Sequence, residues 1–197
     1  TSCKVNVKFG DAWELELLHI HGAGCQISSL DDVQRPELLK DIKLTGVENF
    51  PDFSRFTSLV ALGISGVSPN QILDLSEFSC GKSLWLLHVH QANLKGDLSR
   101  FANLREAVWI DVRNVPLNYL TNQLLESLTI CRIDGVDYRQ LKTPASLATL
   151  TIADQVWMKG PDLSRMKNLE SLELAKVPVS SIEHLAKSNL QRLSLEE

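Results

Sequence analysis

The chain has 197 residues, 44% of them hydrophobic and 22% charged, a composition typical of an ordinary globular protein. Its formal net charge of −4 argues against a basic nucleic-acid-binding surface, and no apolar run is long enough for a membrane-spanning helix. The cysteines Cys3, Cys25, Cys80 and Cys131 lack metal-ligand spacing and no asparagine lies in an N-x-[ST] sequon, which favours a reducing, cytoplasmic compartment.

The first predicted element is an N-terminal cap over residues 1–14. Residues 3–9, CKVNVKF, alternate apolar and polar side chains, and Gly10 and Asp11 follow as a turn. We expect a β-hairpin here. It would cover the first edge of the structure that follows, as the terminal unit of a repeat array must.

From residue 15 onward, the pattern L-x-x-L-x-[LI] recurs with few substitutions. Its copies begin near residues 15, 39, 59, 84, 104, 125, 147, 169 and 190, at intervals of 20–25 residues. In each copy, apolar residues alternate with mostly polar or small ones, which predicts a short strand with one buried face. The interval is too short for a strand–helix–strand unit, so each copy predicts one strand and a return path with little helix.

A second phrase marks the return path before three of these copies. It reads PDFSRF at 51–56, GDLSRF at 96–101 and PDLSRM at 161–166. Its two apolar residues are three apart, which puts both on one side of a 3₁₀ or helical turn and predicts that they face inward. The aspartates Asp52, Asp97 and Asp162, or the serines two residues after them, are suited to cap that turn. We therefore assign the phrase a structural role.

The pattern and its period resemble the leucine-rich repeat family. The resemblance runs from about residue 15 to the last residue. It implies an α/β solenoid, a right-handed superhelix (horseshoe) with a parallel β-sheet on the concave face and short 3₁₀ or helical turns on the convex face. Family members usually carry an asparagine eight residues after the first leucine, but apolar residues such as Val47 and Val112 mostly stand there. The short, uneven repeats are more similar to bacterial or intracellular members than to secreted receptors.

Motifs for catalysis or cofactors are weak. GAGCQI at 22–27 lacks the third glycine of a dinucleotide loop, and GKS at 81–83 lacks the earlier glycine of a phosphate-binding loop. The histidine pairs HIH and HVH lie three coils apart, too far to chelate one metal together. No nucleophile, base and orienting group would meet in the solenoid. We predict no metal, no cofactor and no enzymatic activity.

The concave face is therefore the predicted binding surface. Leu86, Val108 and Ile110 are apolar where solvent-facing residues should be polar. They either form a hot spot or lie partly in the core, if the unusual fifth repeat with Ala107 and Trp109 is out of register. The candidate residues are Trp85, Leu86, His88, His90, Arg105, Glu106, Val108, Ile110, Asp111, His19 and His21.

The function predicted from these features is a non-catalytic module that binds a protein partner, with no nucleic acid, membrane or small-molecule substrate. Family analogy suggests a bacterial intracellular effector or immunity-type protein. Two alternatives remain at this stage. The chain is the recognition domain of a larger enzyme, or part of an internalin-like surface adhesin, with the other domains outside these residues.

Overall fold

The computed structural model describes residues 3–5, 14–27, 30, 33–50, 52–66, 72–78, 84–96, 98–115, 124–133, 144–154, 163, 166–177 and 189–196. Within these ranges, ten strands form one large sheet and two strands form a small second sheet. The strands are β1 Cys3–Val5, β2 Leu17–Ile27, β3 Asp41–Asn49, β4 Ala61–Ser65, β5 Ile72–Asp74, β6 Leu86–His90, β7 Asn93–Lys95, β8 Glu106–Ile110, β9 Ser127–Cys131, β10 Thr149–Ala153, β11 Ser171–Ala175 and β12 Arg192–Glu196.

The large sheet is parallel throughout, in the order β1-β2-β3-β4-β6-β8-β9-β10-β11-β12. From β2 to β12, each of its strands begins two residues after a leucine of the recurring pattern. Each coil thus adds one strand and then returns behind the sheet. This confirms the predicted parallel-sheet solenoid. No helix in the described ranges has the length and hydropathy of a membrane span.

The leucine pattern forms the core because its side chains point to one side of each strand. In β8, for example, Ala107 and Trp109 are fully buried, whereas the residues that alternate with them are half-buried on the other face. Leucines that begin the copies, such as Leu59 and Leu104, are also buried. One coil cannot enclose such a row alone, so the core exists only because neighbouring coils stack.

Consecutive coils are joined by a main-chain ladder just before the strands. The carbonyl of Val60 accepts hydrogen bonds from the amides of Trp85 at 2.8 Å and Leu86 at 3.0 Å. The same arrangement recurs along the sheet, with the acceptor carbonyls Glu16, Lys40, Val60, Trp85, Arg105, Glu126, Ala148 and Glu170. Apolar side chains at the usual asparagine position, such as Val47 and Val112, are buried. Main-chain bonds and packing therefore connect these coils without that side chain.

The return path contains short 3₁₀ turns at Pro36–Leu38, Phe53–Arg55, Leu75–Glu77 and Leu98–Arg100. Asp52 caps one of them as predicted, because its Oδ1 accepts a hydrogen bond from the Ser54 amide at 2.8 Å. The turn at Leu75–Glu77 belongs to a fourth copy of the phrase, DLSEF at 74–78, that the sequence analysis missed. There Asp74 accepts from the Ser76 amide at 3.0 Å.

Aromatic rings of the return path stack from coil to coil. Phe53 and Phe78 are stacked with ring centroids 4.5 Å apart, and Phe78 meets Phe101 edge-on at 6.2 Å. All three are buried. These rings are the inward-facing residues that the repeated phrase predicted. Their contacts connect the return paths of three successive coils.

Where the structure describes the predicted N-terminal cap, it has an edge strand of the large sheet and no antiparallel pairing with β2. β1 pairs in parallel with β2, with Cys3 opposite Cys25, so it extends the main sheet by one more strand. A hairpin would instead require antiparallel pairing. Residues 6–13, including the predicted turn, lie outside the described residues.

Candidate protein-binding surface

The solvent side of the large sheet is built by strict alternation along each strand. In β4, β6, β8, β9, β10 and β11, the first, third and fifth residues are half-buried and the other two are buried. Parallel pairing then aligns these residues into rows across the sheet. One row runs Gly63, His88, Val108 and Thr129. We call this side the concave face.

The fifth repeat keeps the regular register. Glu106–Ile110 pairs residue for residue with β6 and β9, so Ala107 lies between Leu87 and Leu128. Of the two alternatives that the sequence left open for this repeat, the pairing excludes the one in which it is out of register. The small Ala107 compensates for the large Trp109 two residues later, since both point into the core. Val108 and Ile110 consequently face the concave side.

Four apolar residues belong to β6 and β8 or directly precede them, and we call them the central patch: Trp85, Leu86, Val108 and Ile110. Trp85, just before β6, is 51% exposed, and the other three are half-buried. The Trp85 carbonyl accepts from the amides of Arg105 and Glu106, which fixes the main chain under the indole. An indole this exposed has apolar surface that a partner can cover.

The charged candidates around the patch are engaged in ion pairs within the chain. Arg105 donates to Glu126 on the next coil. His88 and Glu106 are 2.9 Å apart between Nε2 and Oε1. Asp111 accepts two hydrogen bonds from Arg132. These pairs orient the charged side chains, while each contributes little stability at an exposed site.

The four candidate histidines line one depression on the concave face. Its volume is about 530 Å³, and it lies between β2 and β6. His19 and His21 form one wall, His88 and His90 the opposite wall, and Gly63 lies between them. The sequence indicated that the two pairs lie three coils apart. It did not reveal that they enclose the same space.

Gly63 helps explain why the depression exists. A Cβ at this position would lie 3.3 Å from Cγ of Lys43, so even one methyl group would begin to fill the space. The neighbouring solvent-facing positions of β4 are Ala61 and Ser65, which are also small. A strand without long side chains between two histidine-bearing strands leaves a hollow.

Burial and charge shift several pKa values at these sites. Partial burial lowers the pKa of His90, and neighbouring His88 lowers it further. The hydrogen bonds from Arg132 hold the pKa of Asp111 below its usual range. Burial raises the pKa of the Cys131 thiol, so this cysteine is a thiol and not a thiolate at neutral pH.

No catalytic arrangement is formed by the candidate residues that the structure describes. His90 and Cys131 belong to one row, but Ile110 lies between them, so no Cys–His dyad forms. GAGCQI continues β2 as a strand and does not open a helix. GKS lies outside the described ranges. The described residues contain no group of three or more His, Cys, Asp or Glu that could hold a metal ion.

A ladder of alternating charges, which was not predicted from the sequence, follows the strands. Arg132 bonds Asp111 and also lies 3.4 Å from Asp154, whose other oxygen is 3.1 Å from Lys176. All four residues stand seven positions after the first leucine of their coil. They have φ values of 49–54°, in the left-handed region. The alternating signs of charge at this fixed position could have revealed the ladder from the sequence.

No family model matches this sequence, and no curated protein matches it. Among solved structures, the chain is similar to an internalin from Listeria monocytogenes. The two are 16% identical, the match covers 91% of this chain and 67% of the internalin chain, and the TM-score is 0.47. The likeness concerns the fold alone.

Proposed function

We propose that this chain is a non-catalytic module that binds a protein partner through the concave face, with the central patch as its main contact. The observation that carries the proposal is the composition of this face. Val108 and Ile110 stand in rows that carry Thr129 and Cys131 on the next strand and Thr151 and Ala153 on the strand beyond. Fold stability does not require apolar residues there, because these side chains point away from the core.

The arrangement fits what is known of binding hot spots. These tend to combine a desolvated aromatic or apolar centre with a surrounding polar rim. Here Leu86 lies opposite Glu106 and Val108 lies opposite His88 on the adjacent strands β6 and β8. Trp85 directly precedes Leu86, and the Arg105–Glu126 pair lies at the same end of these strands. Ten strands of about five residues give a face of roughly 45 by 15 Å, close to one side of a standard protein interface.

Rigidity also supports a binding role. The main-chain ladder fixes the start of each repeat strand, and strand pairing fixes the rest. A partner therefore meets a surface whose backbone is already ordered, so little conformational entropy is lost on binding. We also propose a cytoplasmic setting, on the grounds of the scattered cysteines and absent sequons.

The test is capture of a partner by the whole chain and by two matched variants. Val108→Glu/Ile110→Glu puts charge into the central patch. Thr149→Glu/Ala153→Glu puts the same charge on the same face two strands away, in rows with neutral neighbours. Circular dichroism would first show that both variants are folded.

We expect the wild-type chain and the Thr149/Ala153 variant to retain the same partner and the Val108/Ile110 variant to lose it. Equal retention by all three would rule out the central patch as the binding site. A reaction catalysed by the purified chain would rule out a purely binding role.

A further inference from the structure

Four of the five histidines in the chain line a single depression. His19 and His21 come from β2, and His88 and His90 come from β6. Between these strands lie β3 and β4, so the two walls are about 14–15 Å apart at ordinary strand spacing. A hollow of this width can admit an extended peptide segment with its side chains.

In the described part of the chain, the charged and titratable groups around the depression are the following. β2 contributes His19 and His21, β3 contributes Asp41 and Lys43, and β4 contributes none. β6 contributes His88 and His90. Beyond β6, Glu106 of β8 meets His88, while Asp111 and Arg132 act on His90 from the ends of their strands.

The two carboxylates closest to the depression are already paired at its margins. Asp41 Oδ1 is 3.6 Å from His19 Nε2, and Glu106 Oε1 is 2.9 Å from His88 Nε2. In the described part of the chain, Lys43, His21 and His90 have no carboxylate at ion-pair distance. The depression therefore offers a lysine and two imidazoles to an incoming anion.

The charge of the depression depends on pH. With neutral imidazoles, Lys43 is the one cation in the described lining, beside the carboxylates of Asp41 and Glu106. Imidazole gains a proton as the pH falls through about 6.5, whereas carboxylates stay ionised down to about 4. Each proton that an imidazole takes up between these limits makes the depression more positively charged.

We infer that this depression is a pH-dependent subsite of the concave face that takes a segment of the protein partner bearing Asp or Glu side chains. The inference rests on the proposed function, since it assigns one part of the partner's contact. The small residues Ala61 and Gly63 supply the space. Lys43, His21 and His90 supply the positive charge. Specificity would come from the paired histidine walls on both sides of the segment.

The direction of the pH effect follows from linkage. A bound carboxylate stabilises protonated imidazole, so binding takes up protons and must strengthen as pH falls. Partial burial lowers the pKa of His90 in the free protein. Protonation of His90 on binding therefore continues to strengthen binding at the acidic end of the pH range.

The experiment uses the full chain and a fluorescent acetyl-(Asp)₆-amide peptide, with acetyl-(Asn)₆-amide as the uncharged control. Anisotropy titrations at low salt would run between about pH 7.5 and 5.5, where Asp side chains stay ionised. We expect the acidic peptide to bind at least about tenfold more tightly at the lower pH, and the Asn peptide not to bind.

Matched variants locate the site. His21→Gln/His90→Gln should remove most of the pH dependence, and Lys43→Gln should weaken binding throughout. Lys95→Gln removes the same charge from β7, which belongs to the other sheet, and should change nothing. Lys95 also pairs with Asp74 at 3.0 Å. Its replacement should therefore cost at least as much stability as that of Lys43, which makes it a strict control for effects of stability on binding.

Binding that is independent of pH, equal losses in the Lys43 and Lys95 variants, or no binding of the acidic peptide would each overturn the inference. The proposed function is read out separately, by capture of the native partner with the Val108/Ile110 variant. If that capture depends on the central patch while the acidic peptide is ignored, the subsite fails and the binding module stands.

Discussion

Arg132 donates two hydrogen bonds to Asp111, from Nε to Oδ1 at 2.6 Å and from Nη2 to Oδ2 at 2.8 Å. The two residues occupy the same position in successive coils, each just after its strand. Their amides also continue the sheet, since Asp111 N donates to Cys131 O and Arg132 N donates to Ala153 O. Side-chain and main-chain bonds thus connect the same coils at one edge of the concave face.

Replacing Arg132 should change the response of the chain to acid. Arg132 holds the pKa of Asp111 below its unfolded value, so ionised Asp111 adds stability that is complete above about pH 4. That contribution is lost as the pH falls through the folded pKa. We expect Arg132→Gln to be less stable than wild type at neutral pH and to converge with it in acid.

Urea unfolding at several pH values measures this effect. Arg113→Gln is the control, because Arg113 is exposed and makes no ion pair in the part of the chain described here. The Arg113→Gln variant should lose little free energy of unfolding at any pH. A constant difference between Arg132→Gln and wild type down to about pH 2 would contradict the assigned role of the Asp111 carboxylate.

Gly96 should tolerate substitution poorly. It has a φ of 104°, and a Cβ there would lie 3.0 Å from the Ser76 amide nitrogen and 3.3 Å from that of Leu75. These atoms belong to the 3₁₀ turn of the neighbouring coil and cannot move independently. We expect Gly96→Ala to lower the free energy of unfolding by about 1–3 kcal/mol.

Gly63→Ala is the matched comparison. Its new methyl group would meet the flexible Lys43 side chain at 3.3 Å, and its φ lies outside the left-handed region. We expect a loss below about 1 kcal/mol. Urea midpoints would compare the two variants. A larger loss of unfolding free energy for Gly63→Ala than for Gly96→Ala would show that close contact with main-chain atoms does not determine the cost of these substitutions.

Ala107 and Trp109 should behave as a coupled pair. Trp109 is fully buried between Val89 and Ile130, and its Nε1 has no hydrogen-bond partner among the described residues. We expect Ala107→Leu to cost about 1–3 kcal/mol by overpacking and Trp109→Ile to cost about 2–4 kcal/mol by opening a cavity. The double variant restores the usual pattern of the other coils.

A double-mutant cycle in urea measures this coupling. The combined loss should be at least about 1 kcal/mol smaller than the sum of the single losses, because the added leucine occupies space that the indole leaves. A cycle that combines a substitution of Leu62 with Trp109→Ile is the control, because these two residues lie on strands that are not neighbours. Strict additivity at Ala107 and Trp109 would mean that the two volumes do not compensate each other.

The positions of the strands could be predicted from the sequence because one pattern carries two kinds of information. Its leucine spacing marks where each strand begins, and its alternation marks which side is buried. The return phrase GDLSRF at 96–101 was predicted in the same way. DLSEF at 74–78 was not recognised because Leu84 comes ten positions after Asp74, whereas Leu59 comes seven positions after Asp52. The aromatic contacts of Phe78 therefore became visible only in three dimensions.

The candidate site was less predictable than the fold. Apolar residues at 86, 108 and 110 were recognisable because they break the alternation rule at solvent-facing positions. The pairing of Arg105, Glu106 and Asp111 was not, because it depends on side-chain conformations across two coils. The histidine depression depends on a small residue, Gly63, in a strand between the two histidine pairs. No local pattern contains that relationship.

Trp85→Ala should separate binding from stability. The indole is 51% exposed and lies outside the core, so its removal should lower the free energy of unfolding by about 1 kcal/mol or less. As the aromatic residue of the central patch, it should nevertheless contribute at least about 2 kcal/mol to partner binding, which corresponds to a roughly thirtyfold weaker Kd. Leu17→Ala is the matched control, because Leu17 is also 51% exposed and lies in the strand of the first coil, away from the patch. Calorimetric titration of the captured partner, beside urea unfolding of each variant, would measure both effects. Similar affinities of the two variants would place the main contact elsewhere on the solenoid.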